Sequence, residues 1–91
     1  SEAAVETVLG ELLLAHNRLR EAEDRLERAR RLDPRLGAAQ TALGWLRQRQ
    51  NRLDDALTAF EQGADLMPDD YGALSAFGAA VARAESGPGG A

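Results

Sequence analysis

Apolar residues recur along this chain at three- and four-residue spacing in short runs, each closed by polar turn residues. Val5, Leu9, Leu12 and Leu13 form the first run, and after Asn17-Arg18 the spacing resumes at Leu19, Ala22, Leu26 and Ala29. Side chains of an α-helix return to one face about every 3.6 residues, so each run marks one buried helix stripe. The runs predict an all-α chain of five helices, at about residues 3–16, 19–32, 37–50, 53–66 and 71–85. The residues between them carry stop and start signals. Asn17 and Asn51 stand where a left-handed C-terminal cap is expected, a conformation that Asn tolerates. Pro34 and Pro68 constrain the residue before them and close the second and fourth helices. Asp54 and Asp55 fall in a first turn, where negative charge is favoured, and Asp69 and Asp70 are candidates to cap the helix beginning near Tyr71.

The same pattern comes round every 34 residues. Leu9-Gly10 recurs as Leu43-Gly44 and as Phe77-Gly78, Asn17-Arg18-Leu19 as Asn51-Arg52-Leu53, Ala22 as Ala56, Leu26 as Phe60 and Pro34 as Pro68. Residues 3–36 laid over 37–70 without a gap give 12 identities in 34 places, against roughly four expected for this composition, so the chain repeats. The units are 3–36, 37–70 and a half unit, 71–85, within a single folded region, 1–86. Residues 87–91 lack periodicity and read as a flexible tail or the start of a linker. A glycine inside a helix costs about 1 kcal/mol relative to Ala. Its recurrence at 10, 44 and 78 predicts a close helix approach at that place in each unit, with Ala22, Ala56 and Gly63 small for the same reason and Leu19, Leu26, Leu53 and Phe60 filling around the contact.

This arrangement resembles the tetratricopeptide repeat family. Leu9-Gly10, Ala22, Leu26, Ala29 and Pro34 match its signature in the first unit, and Leu43-Gly44, Ala56, Phe60, Gly63 and Pro68 in the second. The resemblance implies a right-handed superhelical stack of antiparallel helix pairs, with the lone fifth helix as a cap. Positions where the family carries large residues hold Glu6, Gln40 and Leu74, and Leu13, Arg47 and Val81. These mark the first helix of the second unit as the expected weak point of packing.

Composition narrows the function. The chain has 91 residues, no Cys, no Lys and a net charge of −4. Residues 17–49 carry nine Arg against five acids and residues 50–91 two Arg against seven acids, an uneven distribution that leaves the whole acidic. An acidic chain is not expected to bind nucleic acid, and its alternating Arg and Glu read as a solvated helix face. Apolar runs such as Leu12 to Ala15 are too short to span a bilayer and no leader is evident, so no membrane association is expected and a soluble, cytoplasmic chain is. Codons for Lys and Ile are AT-rich, and the lack of both residues suggests a GC-rich, bacterial source. His16 has no Cys or carboxylate cluster at metal spacing, and Ser75 has no base or nucleophile elbow. No catalytic residue, cofactor or metal is expected, and the chain reads as a non-enzyme.

What remains is surface. The resemblance implies that the first helix of each unit lines a concave side that holds a partner segment. Thr41, Trp45, Gln48 and Arg49 lie on the face of the third helix away from Gln40, Leu43 and Arg47; Thr7, Glu11 and Leu14 match them before, and Ser75, Ala79 and Arg83 after. Trp45 is the only large member, either an interface anchor or a packing residue against a neighbouring helix. With no Lys, and with Ala4, Thr7, Ala38, Thr41 and Ala42 where some relatives clamp a carboxylate terminus, the expected partner is a protein segment with apolar side chains. The alternatives are a self-assembling scaffold built on Leu74, Phe77 and Val81, or a regulatory appendage of a larger protein.

Overall fold

The computed structural model describes residues 1–86; the tail expected at 87–91 lies outside them. Five helices and no strands occur among the described residues: α1 (Glu2–Ala15), α2 (Leu19–Leu32), α3 (Gly37–Arg49), α4 (Leu53–Leu66) and α5 (Tyr71–Ser86). Every boundary lies within one residue of the expected one. The radius of gyration, 12.7 Å, is close to the roughly 12 Å expected of a compact chain this long.

The local signals act as their chemistry requires. Ser1 caps α1 by accepting the Ala4 N–H at 3.1 Å. Asn17 and Asn51 take φ of 60° and 61°. At each of them the chain turns back so that the next residue's N–H reaches into the finished helix, Arg18 to the Leu13 carbonyl at 2.9 Å and Arg52 to the Arg47 carbonyl at 2.8 Å. These paired bonds satisfy carbonyls that the helix end would otherwise leave free. Asp33, before Pro34, is extended and ends α2. The Asp70 carboxylate accepts the Ala73 N–H at 2.9 Å and opens α5.

α1 packs on α2, α3 on α4 and α5 on α4, while α2 also meets α3. Contacts from α3 run backwards along α4, Gly37 to Met67, Thr41 to Gly63 and Gly44 to Phe60, so the pair is antiparallel. The core has two centres. Leu14, Ala22, Leu26, Ala42, Leu43, Leu46 and Ala59 form one across α1 to α4, and Ala56, Phe60 and Ala76 form the other between α4 and α5. A Cβ on Gly10 would lie 2.5 Å from the Leu26 side chain, and one on Gly44 2.5 Å from the Phe60 ring. The expected close approach therefore exists at both places, each time with the large residue of the second helix seated on the glycine of the first. Gly78 differs: a Cβ there would meet no atom of the described residues within 4 Å.

Three expectations about packing need correction. Val5 and Leu12, placed by period on the buried stripe of α1, are exposed, as is Leu53. α1 is apolar nearly all round, so its period could not tell the inner side from the outer. α3, the expected weak point, is instead the most enclosed helix, with Ala39, Ala42, Leu43 and Leu46 buried. Its polar departures are matched across helices: Arg47, only 12% exposed, pairs with Glu23 at 3.0 Å and Glu27 at 3.6 Å. Glu6, also buried, accepts from Arg25 at 3.0 and 3.3 Å.

Glu23 shows what this polar joint contributes. Hydrogen bonds from Gln50 and Arg47, with the positive charge of Arg47 and Arg52, hold its carboxyl below the ordinary value of 4.5. A depressed carboxylate stabilises the fold fully above its unfolded value and loses that contribution as pH falls through the folded one. Glu23→Gln is therefore expected to lower the melting temperature at pH 7, with the gap to the unsubstituted chain closing over the acidic range below the ordinary value of 4.5. A gap that stays constant across that range would show that Glu23 does not titrate against this joint.

Candidate partner-binding surface

Six of the ten residues proposed for the concave strip are solvent-exposed: Glu11 on α1, Trp45 and Arg49 on α3, and Ser75, Ala79 and Arg83 on α5. Thr41 and Gln48 are half-buried. Thr7 and Leu14 are buried, and this corrects their assignment to an open surface. The Thr7 hydroxyl donates back to the Ala3 carbonyl at 2.8 Å, and Leu14 belongs to the main core with Leu26 and Leu46. The hydroxyl of Thr41 is sealed against Gly63 and has no hydrogen-bond partner among the described residues, so it offers nothing to a ligand. The exposed strip of α1 is rotated from the expected one and includes Val8, which the sequence did not single out.

Trp45 packs against a neighbouring helix and also reaches solvent. Its ring meets Phe60 edge-on, with centroids 4.9 Å apart and planes at 76°, a favoured aromatic geometry. Yet the residue is 43% exposed. Phe60 is fully buried, so it fixes one side of the indole while the other faces solvent. An aromatic held this way loses little side-chain freedom on contact with a partner, which lowers the cost of binding.

Gln48 and Arg83 line a depression of about 130 Å³ with Leu53, Asp54, Ala56, Ala80 and Ala84, where the C-terminal ends of α3 and α5 meet the start of α4. A volume near 150 Å³ holds a benzene ring, so this one suits a single apolar side chain. Leu53, Ala56, Ala80 and Ala84 supply the apolar walls, and Gln48, Asp54 and Arg83 the polar rim.

Charge varies along the strip. Glu11 stands on α1, and partial desolvation pushes its carboxyl above the ordinary value although the residue remains exposed. Arg49 donates to the Asn17 side chain at 3.2 Å, which ties the end of α3 to the turn after α1. His16 is exposed, and among the described residues no three of His, Cys, Asp or Glu gather as a metal site would need. No helix among them is long and apolar enough to cross a membrane. The chain matches no family model, no curated protein and no solved structure.

Proposed function

We propose that this chain is a tetratricopeptide-type stack that acts as a non-catalytic docking module, holding an extended or helical segment of a partner protein against the strip centred on Trp45. The observation that carries this is the exposed indole braced by a buried ring. A large apolar side chain that is both fixed and solvated is the profile of an interface hot spot. The depression beside Gln48 and Arg83 gives the same strip room for one apolar side chain of the partner, and Glu11 and Arg83 give it opposite charge on α1 and α5. The stacked reading is supported by the repeated seat of Leu26 on Gly10 and Phe60 on Gly44, one unit apart.

The test is recovery of partners on immobilised chain from a lysate of the source organism, with Trp45→Ala in parallel. Because Trp45 is the only tryptophan, its emission also reports directly on a bound segment. Truncating a hot spot costs at least about 2 kcal/mol, or roughly thirtyfold in affinity. Trp45→Ala is expected to lose the recovered partner while keeping its helical circular dichroism. Equal recovery by the two chains would remove Trp45 from the site.

A further inference from the structure

The strip of α5 around Gly78 has two internal counterparts, and both are covered. One unit apart, the positions Ala3, Glu6 and Gly10 on α1 and Gly37, Gln40 and Gly44 on α3 are all buried, the first set under α2 and the second under α4. Their equivalents on α5 are Tyr71, 84% exposed, Leu74, 46% exposed, and Gly78, over which none of the described residues stands. The uncovered copy is also the most apolar of the three at the central position, where Leu74 replaces Glu6 and Gln40. A stripe that carries more apolar surface than its buried counterparts, and keeps a helix-weakening glycine that no neighbour requires, lacks a partner it is shaped for.

We infer that this face of α5 docks one helix of a partner chain, antiparallel to α5, with a large apolar side chain seated on Gly78, a small residue four positions before it and a Lys or Arg two positions after it. The first two features are those of both covering helices, Ala22 with Leu26 and Ala56 with Phe60. The third follows from charge. Just before the first unit Glu2 pairs with Arg28 at 2.9 Å, two residues after Leu26. Just before the second unit the acid is replaced by Leu36, and the residue two after Phe60 is the neutral Gln62. Just before the third, half unit the acid returns as Asp70, beside Asp69, and Asp70 uses one carboxylate oxygen to cap α5. A basic residue on the docked helix answers it, and a helix end rich in Lys or Arg is favoured in that place, since the antiparallel order brings the partner's C-terminus there. A second copy of this chain fits poorly. Its own α5 would bring Asp69, Asp70 and Glu85 against the same three acids.

The face is distinct from the Trp45 strip, so the two can be tested apart. The probe is a helix-stabilised peptide of residues 19–32, which carries Ala22, Leu26 and Arg28 in the required order, titrated into the full chain and read by fluorescence anisotropy and by the Gly78 amide resonance. The peptide is expected to bind saturably and to shift that resonance. Gly78→Leu, which fills open space and favours the helix, is expected to keep or raise the melting temperature and to weaken binding about tenfold or more. The peptide bearing Arg28→Glu is expected to bind more weakly as well, and the chain bearing Trp45→Ala to bind unchanged. Equal binding by Gly78→Leu, or no binding at millimolar peptide, would overturn the inference. So would a dimer in sedimentation that Gly78→Leu abolishes, because the occupant would then be a second copy.

Discussion

Phe60→Ala is expected to destabilise the chain by about 3–5 kcal/mol, the range for removing a large buried aromatic. For a chain of this size, total stability is roughly 5–14 kcal/mol at the usual contribution per residue, so the loss is a large share of it. Three features place the cost at the upper end. Phe60 is fully buried, it braces Trp45, and among the described residues it is the one large buried side chain of the centre that joins α4 to α5, beside the small Ala56 and Ala76. Gly44, which lies against the ring from α3, has no side chain to move into the void. Urea unfolding followed by Trp45 emission measures both consequences: a lowered midpoint, and in the native baseline an indole that has lost its rigid neighbour. An unchanged midpoint would mean that the α4 and α5 centre contributes little.

The same chemical change at two equivalent glycines is expected to have opposite signs. Gly44→Ala sets a methyl within 2.5–2.8 Å of three Phe60 ring atoms, and a buried ring cannot swing aside as a flexible chain end would. Overpacking of this kind costs about 1–3 kcal/mol, which the improved helix propensity of about 1 kcal/mol only partly offsets. Gly78→Ala meets no atom of the described residues within 4 Å and is left with the propensity gain alone. Thermal melts of the two variants should therefore fall on either side of the unsubstituted chain. The first sign should also reverse when Phe60 is removed, since in Phe60→Ala the added methyl enters the void instead of the ring; contacting residues couple in this way. Destabilisation by Gly78→Ala would show that the chain needs that glycine for its own fold.

The helices were legible because their start and stop residues act locally. A left-handed Asn, a proline two residues past a leucine and a capping Asp need no knowledge of what lies across the core. The contacts at Gly10 and Gly44 were legible for a different reason: repetition turned a costly residue into a signal. The rotation of the surface strip was not. Leu14 and Thr7 sit on a helix that is apolar on most sides, so spacing could not decide which side solvent would take. Nor could sequence spacing pair Arg47 with Glu23 and Glu27, 24 and 20 residues away, because that match depends on how α2 lies across α3. Trp45 was singled out from its type and its place in the repeat, but whether it would be sunk or open depended on the depth to which Phe60 filled the space beneath it.

At Asn17 and Asn51 the backbone passes into the half of conformational space that suits the mirror image of an ordinary amino acid. Left-handed geometry costs a typical L-residue about 1–2 kcal/mol, and asparagine is among the few that accept it. A D-residue prefers the same φ. These two points, one in each full unit, are therefore where a chemically synthesised chain would accept an inverted stereocentre with its helices undisturbed.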